Sequence, residues 1–148
     1  MKRVVMKRSL LLGAVLGLVA CGSDKLNTAF AGLWTGAATL TMGTYSSTDP
    51  SVEVSITLPS ESTLTIAPVC PENTGSITAS GNGDSASWNG TVTCQPVAIG
   101  SCASVTVTLT SGTGTLSSDG KTLTAKASGT ATGCSQSLPF AWQFVGTK

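Results

Sequence analysis

The chain has 148 residues, with eight Lys and Arg, seven Asp and Glu, and no histidine. That length suits one domain, and a formal net charge of +1 offers no basic excess to meet a phosphate backbone, which sets nucleic acid aside as a partner. The missing histidine removes the commonest general base and the commonest metal ligand, and no catalytic, cofactor or metal site is expected.

The charge is unevenly spread. Lys2, Arg3, Lys7 and Arg8 open the chain, and an apolar run follows from Leu10 to Ala20, broken only by Gly13 and Gly17. Those 11 residues fall short of the roughly 20 that span a bilayer as a helix. A basic start, a short apolar run and a small residue at its end read as a secretory signal peptide over residues 1–20, here a short signal helix. Removing it takes four of the eight basic residues and none of the seven acids, which leaves 128 residues at −3. No arginine survives, and arginine is the usual bidentate clamp for phosphate or carboxylate.

Leu18-Val19-Ala20-Cys21, followed by Gly22-Ser23, resembles the lipobox of bacterial lipoproteins. The resemblance covers about the first 22 residues. It implies a diacylated Cys21 thiol, cleavage before Cys21, and acylation (palmitate among the chains) of the new amino terminus. Several acyl chains make a stable anchor where one is weak, at about 0.8 kcal/mol per buried methylene. Gly22 stands where Asp would favour retention in the inner membrane. The resemblance therefore implies a cell-envelope location, in the outer membrane of a Gram-negative source, with residues 21–29 as the lipidated Cys and a polar tether and 30–148 as the folded domain.

Five cysteines look odd for an exported protein. With Cys21 given to lipid, Cys70, Cys94, Cys102 and Cys134 remain, an even set that predicts two disulfides. No CxxC pair occurs, and the spacings of 24, 8 and 32 do not match a zinc ribbon. Three pairings are open. Strand parity prefers Cys70–Cys94 with Cys102–Cys134, because Cys70 and Cys94 each end an alternating run on its apolar side. Cys94–Cys102 with Cys70–Cys134 stays close behind.

Beyond Phe30 the apolar pattern has period two. Trp34, Gly36, Ala38, Leu40 and Met42 alternate with Thr35, Ala37, Thr39 and Thr41. Val52, Val54, Ile56 and Leu58 form a second such set, Leu64 and Ile66 a third, Val105, Val107 and Leu109 a fourth, and Phe140, Trp142 and Phe144 a fifth. This is the pattern of half-buried antiparallel strands. Breaks are predicted at Thr48-Asp49-Pro50, Pro59-Ser60-Glu61 and Pro71 to Gly75, and turns at Gly81-Asn82-Gly83-Asp84 and Asp119-Gly120. Asn89-Gly90 is read as a bulge in a continuous strand. The expectation is an all-β antiparallel meander of about 7–9 short strands, closed into a small barrel or folded as a sandwich.

Gly32-Leu33-Trp34 resembles the Gly-x-Trp start of the first strand in lipocalin-like barrels. That resemblance implies an internal apolar cavity and a basic residue near the end of the barrel, packed on Trp34. The closing run Leu138 to Val145 carries no Lys or Arg. Trp34, Trp88, Phe140, Trp142 and Phe144 are either the lining of an apolar pocket or the aromatic core itself.

Enzyme readings are thin. Asp49, Glu53, Glu61, Glu72, Asp84 and Asp119 are scattered, mostly in turns, with no spacing that sets two carboxylates on one site. No Gly-x-Ser-x-Gly elbow occurs, and Lys121 and Lys126 on a predicted hairpin are the available partners for a serine. The leading expectation is a non-catalytic, membrane-anchored lipoprotein whose disulfide-bridged β domain serves binding or interaction, with an unknown envelope protein or a small apolar ligand as partner. A lipocalin-like carrier of a small apolar ligand is the alternative, and a carboxylate or Ser–Lys hydrolase the third.

Overall fold

The computed structural model describes residues 25–70, 72 and 74–148. The expected signal helix, Cys21 and the first tether residues lie outside them. Nine strands among the described residues follow in order: β1 (Gly32–Met42), β2 (Tyr45–Ser60), β3 (Thr63–Ala67), β4 (Ile77–Asn82), β5 (Ser85–Thr93), β6 (Val97–Ile99), β7 (Cys102–Leu116), β8 (Thr122–Gly133) and β9 (Gln136–Thr147). A single 3-10 turn, Thr28–Phe30, precedes them. Among the described residues no helix is long and apolar enough to cross a membrane.

Every strand pairing is antiparallel, and neighbours in the sheet are mostly neighbours in the chain. Two pairings close the sheet on itself. β1 bonds to β9, with Leu40 opposite Trp142, and β5 bonds to β7, with Trp88 opposite Gly112. The result is a barrel rather than a sandwich. β6 lies beside β7 on the edge that β5 also uses: Thr93 faces Thr108, the Cys94 N–H donates to the Val107 carbonyl at 2.8 Å, and Val97 faces Val105. It continues β5 after the break at Gln95-Pro96. Closure leaves no free edge along those shared stretches.

The period-two sets point inward as expected. Trp34, Val54, Leu64, Val107, Leu123 and Phe144 are fully buried, and Thr and Ser take the outer positions. The interior divides into two packed halves. One holds Phe30, Trp34, Ile56, Leu123 and Phe144; the other holds Val105, Val107, Leu109 and Phe140 beside the Cys70–Cys94 disulfide. Half-buried Trp88 and Trp142 touch both halves, and a small void of about 20 Å³ lies beside them. It has room for about one water molecule.

The two barrel ends differ. At one end Leu26 is buried, its N–H donating to the Glu61 carbonyl and its backbone bridging Gly83. Phe30 is wholly buried, and the Asn27 side chain caps the 3-10 turn while donating to Asp84 at 2.7 Å. This segment plugs the barrel. The packed body therefore includes Leu26, inside the stretch that the sequence reads as tether, because one apolar side chain there finds a buried seat. The other end carries both disulfides, Cys70–Cys94 and Cys102–Cys134, in the pairing that strand parity prefers.

One predicted break is not a turn. Thr48-Asp49-Pro50 lies inside β2, and the chain reverses earlier, between Met42 and Tyr45. The register skips there: Gly36 faces Val52, but Ala38 faces Asp49. The extra residue in β2 makes a bulge, one of the few places in a sheet that accept a proline. The bulge read at Asn89-Gly90 is present, between Asn89 and Val92.

Candidate functional site

The bulge in β2 decides what lines the barrel mouth. Residues paired across an antiparallel ladder point to the same face. Ala38 is buried, and Leu40 and Met42 pack on the core, so their partners Asp49, Ser47 and Tyr45 lie on the inner face of the ladder, where all three stay exposed at the mouth. Carried back from Val52 without the extra residue, alternation would instead turn Pro50, Thr48 and Ser46 inward. One inserted residue thus aims an acid, a hydroxyl and a phenol into the mouth.

These three line a cleft of about 360 Å³, roomy enough for a small ligand. Pro68, Val69 and Cys70 form another part of its wall, Val97 and Ile99 of β6 face them, and Leu40, Phe140 and Trp142 complete the lining. The Cys70–Cys94 disulfide ties the 68–70 wall to the end of β5. Asp49 is the one charged residue in this lining. Its Oδ1 accepts from the Ser51 N–H at 3.0 Å. Its Oδ2, the Ser47 hydroxyl and the Tyr45 hydroxyl have no hydrogen-bond partner among the described residues.

The Tyr45 ring crosses the mouth to the turn after β6. A Cβ on Gly100 would sit 3.4 Å from Tyr45 Cε2. Tyr45 and Ile99 separate the first cleft from a second of about 360 Å³, lined by Met42, Cys102, Cys134, Gln136 and Leu138 among others. On the barrel's outer face a shallow groove of about 620 Å³ crosses β1, β9, β8, β7 and β5. Its two banks are the outward rows Thr39-Gln143-Lys126-Thr113-Ser87 and Thr41-Ala141-Ser128-Ser111-Asn89.

The five aromatics singled out in the sequence fall into different places. Trp34 and Phe144 are fully buried in the plugged half, and Trp34 Nε1 donates to the Phe30 carbonyl at 2.9 Å. Phe140 and Trp142 line the mouth cleft. Trp142 stacks on Phe144, with ring centroids 5.9 Å apart, and its indole N–H has no partner among the described residues. Trp88 borders the small void and the outer groove.

The acids do not converge. Glu61 pairs with Lys25 at 2.7 Å, Asp84 accepts from Asn27, and Asp119 accepts from Ser117. Neither Lys121 nor Lys126 bonds a serine hydroxyl among the described residues. The basic residue that Leu138 to Val145 lacks is supplied just beyond β9. Lys148 places its ammonium 4.6 Å from the centre of the Trp34 ring and donates to the Ala29 and Ala31 carbonyls.

Sequence reasoning missed Asp49, Ser47 and Tyr45 as lining. The available signal was Pro50, because a proline between two stretches of strand marks a bulge. No family model, curated protein or solved structure matches the chain.

Proposed function

We propose that the chain is a non-catalytic, lipid-anchored envelope lipoprotein whose barrel is a binding module. The observation that carries this reading is the route of the chain into the barrel. Leu26 seats in the plugged end, five residues after Cys21, a span of about 18 Å at most when extended. A lipid on Cys21 would hold the plugged end against the membrane and turn the mouth toward the aqueous compartment. The paired state of Cys70, Cys94, Cys102 and Cys134 leaves Cys21 as the odd cysteine, and disulfides suit an oxidising compartment. Cys21→Ala should move the protein from the detergent to the aqueous phase. A wild-type protein that already stays in water with a free Cys21 thiol would overturn the reading.

A second reading, a lipocalin-like carrier of a small apolar ligand, has its own support. Gly32, Trp34 and Lys148 stand together as that resemblance implies, and the mouth cleft has apolar walls. The aromatic residues are divided between core and cleft, so the carrier's cavity is the mouth rather than the barrel's middle. Native mass spectrometry of gently purified protein should show a bound small molecule. Its absence, together with no saturable binding of a fluorescent apolar probe, would leave only the interaction module.

A further inference from the structure

We propose that the mouth cleft selects a small amphiphile with a cationic ammonium head, seated between Asp49 and Ser47 with its apolar body against Leu40, Phe140 and Trp142. This rests on the carrier reading and names the ligand class for it.

The walls supply the apolar contact. Leu40, Val97, Ile99, Phe140 and Trp142 all border the cleft, and covering apolar surface is the main favourable term in seating such a body. The polar side comes from β2 alone. Asp49, Ser47 and Tyr45 sit at alternate positions on the inward face, so consecutive members are about 6.6 Å apart along the strand. An ammonium nitrogen lodged between the Asp49 and Ser47 side chains can donate to both. It has three donors and no acceptor, and the groups on offer are oxygens without protein partners: Asp49 Oδ2, the Ser47 hydroxyl and the Tyr45 hydroxyl.

The sign of the charge is set by what lines the cleft. Its lining contains Asp49 and no Lys or Arg, and the chain has no histidine. Asp49 is the one charged residue at an inward-facing strand position among the described residues: Glu53 and Lys126 alternate outward and the other charges lie in turns, loops or terminal segments. An inward carboxylate costs nothing to leave solvated in an empty mouth. It repels a carboxylate-headed ligand and attracts an ammonium-headed one. The bulge that turns Asp49 inward also sets Ser47 and Tyr45 beside it, so one local irregularity builds the whole polar side.

The test uses the full chain in nanodiscs of zwitterionic lipid, with empty discs as the blank. Three probes share one body: 4-phenylbutylamine, 4-phenylbutanol and 4-phenylbutyrate. Calorimetric titration should give affinity in that order, with the amine about tenfold tighter than the alcohol. Asp49→Asn keeps an oxygen for the Ser51 N–H and should bring the amine level with the alcohol, leaving the alcohol unchanged. Butyrate bound as tightly as the amine, or an amine preference that survives Asp49→Asn, overturns the charge assignment and leaves the carrier reading standing. Saturable binding by none of the three overturns both.

Discussion

The Lys148 ammonium stands 4.6 Å from the centre of the Trp34 ring and also donates to the carbonyls of Ala29 and Ala31. One side chain thereby ties the end of β9 to the start of β1 and to the plug. Gly32 makes the approach possible. Its φ of +131° suits glycine, and a Cβ there would meet Lys148 Cε at 3.2 Å. Lys148→Ala should therefore destabilise the barrel by about 1–2 kcal/mol, from one cation–π contact and two partly exposed hydrogen bonds. Lys148→Arg should recover most of this. Urea unfolding followed by tryptophan fluorescence measures both, and an unchanged midpoint for the alanine variant would remove the clasp.

Two glycines on the inner face of the barrel should answer oppositely to alanine. At Gly36 a Cβ would fall 2.1 Å from the Val145 carbonyl oxygen and 2.4 Å from Gly146 Cα. Both atoms are backbone, so the β1–β9 ladder has to shift, and Gly36→Ala should cost about 2 kcal/mol or more. At Gly114 the nearest atom is Phe30 Cε1 at 3.8 Å, an ordinary contact. Gly114→Ala should be neutral or stabilising by about 0.5 kcal/mol, because the unfolded chain loses freedom. Thermal melts of the two variants side by side decide it; equal destabilisation would mean that the β1–β9 contact is not the tight one.

Asp119 should hold its charge to lower pH than a free aspartate. The Ser117 hydroxyl and the Lys121 N–H both donate to its carboxylate, which pushes its pKa below the usual value. A depressed folded pKa contributes stability that is present above the unfolded value, near pH 4, and is lost as pH falls through the folded one. The group is exposed, so the effect on stability is small. Carbon-detected NMR titration of the Asp119 carboxyl should show the low midpoint, and Ser117→Ala should raise it. A midpoint that ignores the substitution would assign the shift elsewhere.

Much of the barrel is legible in single residues. Val54, Leu64, Val107 and Phe144 are each two apart from another inward apolar residue, and period two needs no tertiary information to read. Parity also favoured the observed disulfide pairing, since Cys70 and Cys94 extend two inward rows, but it left Cys94–Cys102 with Cys70–Cys134 close behind. The mouth was not. Alternation reports one face at a time, and the β2 bulge changes face without changing composition: Ser46, Ser47, Thr48 and Asp49 look alike on either side. Lys148 was hidden differently. Its partner Trp34 is 114 residues away, and only closure of β1 against β9 brings them together. Leu26 looked like tether because a lone apolar residue among polar ones carries no period; its seat exists only once the Glu61 and Gly83 turns are adjacent.

The two disulfides should be equal in stability and unequal in function. They close loops of 24 and 32 residues, so removing either by a double Cys→Ala change should cost about 3–4 kcal/mol through the freedom returned to the unfolded chain. Their places differ. Cys70 lines the mouth cleft and its bond to Cys94 holds the 68–70 wall in position. Cys102 and Cys134 line the second cleft, across Tyr45 and Ile99. Loss of Cys70–Cys94 should therefore weaken binding of an apolar probe under conditions where the variant remains folded. Loss of Cys102–Cys134 should lower the unfolding midpoint by a similar amount and leave that binding within twofold. Urea midpoints and probe titration on the same two samples separate the effects. If both variants lose the probe equally, the wall at 68–70 is not what shapes the site, and the mouth depends on the global stability of the barrel instead.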